Sequence, residues 1–64
     1  MKVKDCRKGE FITLKDIAEP KENEVFIVCG YDRSQRKYEL QKFNDINSYK
    51  YISGNTEVYT DFIF

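Results

Sequence analysis

The segment that most constrains this chain is EVFIVCGYD, residues 24–32, which is apolar at consecutive positions and built from β-branched and aromatic side chains. Such side chains suit a pleated surface, and a strand apolar on both faces predicts a central place in a sheet. Gly30 inside it predicts a bulge or bend. The rest of the chain agrees, because Val, Ile, Phe and Tyr supply 20 of the 64 residues, against four for Leu, Met and Ala together.

Around this strand the sequence predicts four more: residues 10–14 (EFITL) after a turn at Gly9, 37–43 (KYELQKF), 49–53 (YKYIS) and 57–64 (EVYTDFIF). Residues 15–24, charged and interrupted by Pro20, predict a long surface loop. Residues 32–36 form a polar link of hairpin length, and Gly54-Asn55 predicts a type II′ turn with positive φ at the glycine. Leu40, Phe43 and Ile46 lie three apart, so a short helix near residues 40–48 stands as the alternative to a strand there.

The expected fold is all-β, a five-stranded antiparallel SH3-like barrel occupying residues 1–64 as one domain, with an OB-like barrel or an α+β arrangement as alternatives. A domain of this size buries only about 60% of the surface its unfolded chain exposes, which leaves no room for an enclosed cofactor chamber. The expected core is Ile12, Leu14, Val25, Ile27, Cys29, Leu40, Ile52, Val58 and Phe62.

Chemistry is limited by residue type. The chain has no His, so it lacks the usual near-neutral proton shuttle and the commonest neutral metal ligand. Asp5, Asp32, Asp45 and Asp61 form no pair at the sequence level, and Cys6 and Cys29 have no general base, so no enzyme activity, catalytic residue, metal or cofactor is expected. Two cysteines are too few for a disulfide framework and predict free thiols, with a Cys6–Cys29 bridge as the alternative. The mean hydropathy of −0.69, and an N-terminus without a continuous apolar stretch, predict a cytoplasmic protein with no membrane contact.

The opening VKDCRKGEFITL resembles the entry into the first strand of SH3-like and KOW-type domains, including the N-terminal domain of translation elongation factor P, through Asp5, Lys8 and Gly9. That factor's acceptor loop is not recognisable here, so the likeness implies a fold and no role in translation. Residues 31–47 (YDRSQRKYELQKFNDIN) together with VYTDFIF are similar to a group of short, uncharacterised gut-bacterial proteins of like size, a resemblance that implies no activity.

Three binding roles follow from what the sequence places together. A barrel this small cannot bury ten aromatic side chains, so Tyr31, Tyr38, Tyr49, Tyr51 and Tyr59 are candidates for an exposed face. The first four, flanked by an acidic loop carrying Asp16, Glu19, Glu22 and Glu24, would contact a protein or peptide partner. Arg33, Arg36, Lys37 and Lys50 beside aromatics would instead suit single-stranded nucleic acid, against the formal net charge of zero. An apolar C-terminal strand would pair with a second copy, which leaves monomer and homodimer both open.

Overall fold

The computed structural model describes residues 1–63. It contains β1 (Phe11–Thr13), β2 (Val25–Asp32), β3 (Lys37–Lys42) and β4 (Asp45–Ile52), with short 3₁₀ turns at Val3–Asp5 and Glu22–Glu24. The strands form one antiparallel meander in the order β1-β2-β3-β4 that is not closed into a barrel. Among the described residues no helix is long and apolar enough to cross a membrane.

β2 is one of the two interior strands, as its composition predicts, and a bulge changes which of its later residues face the core. Val28 pairs with Leu40 but Gly30 pairs with Glu39, so Cys29 is the extra residue. Gly30 carries the distortion at φ 128°, in a region closed to most L side chains. The fully buried cluster is Val3, Ile12, Val28, Leu40 and Val58 with Ile52 at its rim, and Cys6, Leu14, Phe26 and Tyr38 pack against it. Simple alternation from Val25 puts Ile27 and Cys29 inside. The register corrects this: Val28 and Phe26 face the cluster, while Ile27 and Cys29 are half-buried.

Three further expectations change. The strand expected over 37–43 is present as β3 and the alternative helix near 40–48 is not, but Phe43-Asn44 is a tight turn and β4 begins at Asp45, four residues earlier than predicted. Its first part bulges, since Lys42 pairs with Asp45 but Gln41 with Tyr49, and the Gln41 amide donates to the Ile46 carbonyl at 3.2 Å across the excursion. Gly54 sits in a turn but not at positive φ; a Cβ there would stand 3.1 Å from Cε1 of Tyr38, so close ring packing explains the glycine. Residues 57–63 form no continuous strand. They make single bridges, Lys2 with Glu57 and Thr13 with Tyr59. Phe64, the end of the predicted fifth strand, lies outside the described residues.

Val3 is the core residue that its polar neighbours conceal. Its N–H donates to the Thr56 carbonyl at 3.1 Å and the Val58 N–H to the Met1 carbonyl at 2.7 Å, so the N-terminus lies along residues 54–58 and turns Val3 inward. The Met1 ammonium and Glu57 form an ion pair at this edge, which holds the Glu57 carboxyl below its usual range.

Candidate functional site

On the sheet face turned from the core, one cross-strand row runs Phe11–Ile27–Gln41–Tyr49 through all four strands. Tyr51 lies beside it, opposite Glu39, and its hydroxyl donates to the Glu39 carboxylate at 2.8 Å. That hydrogen bond pushes the Tyr51 phenol above its ordinary range. Phe11 and Phe43 meet edge to face at 5.6 Å. Part of this aromatic surface is therefore committed to contacts within the domain, while Phe11 and Tyr49 stay exposed.

Tyr31 and Tyr38 belong to the other face. They are direct cross-strand partners with ring centroids 5.2 Å apart, and Tyr38 packs on the core. The four tyrosines of the predicted patch thus divide between opposite faces. The acidic residues lie apart from both: Asp16 borders a shallow pocket with Val58 and Tyr59, and Glu19 and Glu22 are exposed along the loop. That loop is anchored, with Pro20 buried and the Ile63 N–H donating to the Ala18 carbonyl at 2.8 Å.

The basic residues divide as well. Arg33 and Arg36 occupy the β2–β3 turn and Lys37 opens β3, whereas Lys50 stands opposite Leu40 on the core side of β4. The turn has its own structural chemistry. Asp32 accepts from the Ser34 hydroxyl at 2.7 Å and the Ser34 N–H at 2.9 Å, which lowers its carboxyl from the ordinary range and accounts for it without catalysis.

Lys50 leads to the feature that sequence reading missed. The core side of the sheet does not end in a wall. The row Ile12–Phe26–Lys42 passes from full burial to a half-buried lysine, and the next row runs Val28–Leu40–Lys50. Between these lysines and the loop after β1 lies a cleft of about 210 Å³ lined by Leu14, Lys15, Ile17, Asn23, Glu24, Phe26 and Lys50. It continues into a wider trough of about 440 Å³ bounded by Asn23, Phe26, Lys42, Ser48, Tyr49 and Lys50. Asn23, Phe26 and Lys50 are common to both parts, and Phe26, packed on the core, is their shared apolar side chain. Three lysines surround it, and the one carboxylate in the lining, Glu24, accepts from the Lys21 N–H at 2.9 Å. Among the described residues the one ion pair is that of Met1 with Glu57, so Lys15, Lys42 and Lys50 have no carboxylate partner within them.

Both cysteines are free. Burial pushes the Cys29 thiol above its ordinary range, reinforced by the Glu39 carboxylate, and burial with Glu10 and Asp5 does the same for Cys6. Both thiols are expected to alkylate several-fold more slowly than free cysteine at about pH 8, read as loss of free thiol with time. Because the folded state disfavours the thiolate, this contribution leaves stability flat below the ordinary thiol range and reduces it as pH rises through that range toward the raised folded value.

No family model, curated protein or solved structure matches this chain.

Proposed function

We propose that this chain is a non-catalytic binding module that contacts a protein or peptide partner, and that the groove lined by Phe26 is where it does so. The observation that carries this reading is an apolar lining left open beside a filled core: Phe26, Leu14 and Ile17 are only half-buried, while Ile12, Val28 and Leu40 are closed off. Open apolar surface with polar groups at its rim is how a small domain presents a docking site. Of the predicted tyrosines, Tyr49, 53% exposed, borders the trough from β4, although its register places it in the row on the opposite sheet face.

The same reading takes the domain as an SH3-like barrel. The bridge of Tyr59 with Thr13 sets residues 57–59 beside β1 on the side away from β2, the place a fifth strand takes in such a barrel. In this arrangement the groove lies between the long first loop and the open end of the sheet.

Selection of displayed peptides on the intact chain tests the proposal. Selected peptides are expected to shift the amide resonances of Ile17, Asn23 and Phe26, and Ile17→Glu is expected to weaken them by more than about tenfold while the melting temperature stays within about 5 °C. Peptides that shift Phe11 and Gln41 instead would move the site to the opposite face, and failure to select any peptide would overturn the reading.

A further inference from the structure

The proposed docking site carries a charge pattern that names its ligand more closely. We infer that the groove takes an extended acidic peptide segment with one apolar anchor residue, the anchor seated on Phe26 and flanking carboxylates meeting Lys15, Lys42 and Lys50. This rests on the reading of the groove as a peptide site.

Three observations converge on it. The first is the charge balance around the apolar lining, three lysines against Glu24, in a chain whose formal net charge is zero. The positive charge is local, which suits a ligand with a few carboxylates. It does not suit a long polyanion, whose binding draws on a broadly basic surface and would bring phosphates toward the acidic loop of Asp16, Glu19 and Glu22. Asp45, the nearest carboxylate across from Lys42, is turned to its own loop, accepting from the Asn47 N–H at 3.0 Å.

The second is the shape of the apolar part. Leu14 and Ile17 are aliphatic walls around a single ring, which encloses an aliphatic or aromatic side chain from several sides. A run of stacked bases needs successive flat rings instead. The third is the position of β4. It is the last strand of the sheet, and Ser48, Tyr49 and Lys50 border the trough, so a sheet edge adjoins the place where the ligand would lie. An extended peptide can hydrogen-bond to a strand edge; a nucleic acid has no matching backbone.

The test uses the full chain and four probes: a twelve-residue peptide alternating Glu with Leu, the same peptide with Gln for Glu, the same with Lys for Glu, and a twelve-nucleotide single-stranded oligouridylate. Amide shifts should give a dissociation constant on the order of 100 µM for the acidic peptide, about tenfold weaker binding for the Gln version, and none for the Lys version. Shifts should centre on Phe26, Lys42 and Lys50. Lys50→Glu, at an exposed position, should weaken the acidic peptide about tenfold without changing the fold, and raising salt from about 0.05 to 0.5 M should weaken it several-fold. Equal binding of the acidic and Gln peptides in the groove would overturn the acidic ligand while leaving the peptide site standing. Preferential binding of the oligouridylate would overturn both readings, as would the absence of any binding.

Discussion

Replacing Leu40 by alanine is expected to lower the melting temperature by about 10 °C or more, the largest effect of any conservative truncation in this chain. Leu40 is fully buried at the centre of the sheet, directly opposite Val28 on one side and Lys50 on the other. Truncating such a leucine costs about 2–5 kcal/mol through lost burial and the cavity left behind. A domain this small has only about 3–10 kcal/mol of total stability, and each kcal/mol moves its melting temperature by about 4–8 °C. Val28 and Ile52 are anchored in the same sheet and cannot close the gap by sliding. Ile46, 69% exposed in the bulge of β4, provides the contrast, and its truncation should shift the transition by no more than about 3 °C. Thermal unfolding followed by circular dichroism distinguishes the two. Equal shifts for Leu40→Ala and Ile46→Ala would mean that the register around β3 is misassigned.

Leu40 also marks how far the sequence can be read. It stands in a segment whose alternation identifies a strand, and Ile12, Val25, Ile52 and Val58 are buried as that pattern predicts. Alternation fails where the backbone inserts a residue. At Cys29 the bulge shifts the register of β2, so Val28 rather than Cys29 meets Leu40, and only Gly30 hints at it beforehand. Burial of Val3 depends on pairing with residues more than fifty positions away, a contact that no local pattern encodes.

The groove was hidden for a related reason. Lys42 and Lys50 belong to strands whose parity could be written down, yet Phe26 reads as one more core residue in an apolar run. That it lines an opening depends on where the loop after β1 passes and on the bulge at residues 46–48, and both are tertiary facts. The tyrosines divide, with Tyr31 and Tyr49 about half exposed. Their number pointed to an exposed face, but Tyr51 is held by Glu39, and Tyr38 by Tyr31 and Gly54. Aromatic content by itself does not separate a ligand surface from a cross-strand ladder, because both draw on the same side-chain geometry.

The second large effect is expected at Gly30, where Gly30→Val should destabilise the domain by about 2–4 kcal/mol although nothing would touch the new side chain. An added Cβ finds no atom within 4 Å, so the cost is not steric crowding by neighbours. It lies in the backbone: φ is 128°, and a β-branched residue cannot hold that value without strain. The chain then has two unfavourable choices. It can keep the bulge and carry the strain, or relax toward ordinary strand geometry and lose the register shift that brings Val28 to Leu40 and Tyr31 to Tyr38. Gly30→Ala should cost about 1–3 kcal/mol by the same argument, because alanine shares the φ restriction without the branched side chain. Gly54→Ala separates the mechanisms, since its backbone is unstrained and its Cβ would press on a Tyr38 ring able to shift by a few tenths of an ångström. Urea unfolding of the three variants should rank Gly30→Val as most destabilised, then Gly30→Ala, then Gly54→Ala. A Gly30→Ala midpoint equal to the parent's would show that β2 tolerates ordinary geometry at Gly30 and that the bulge is not what sets the core-facing register.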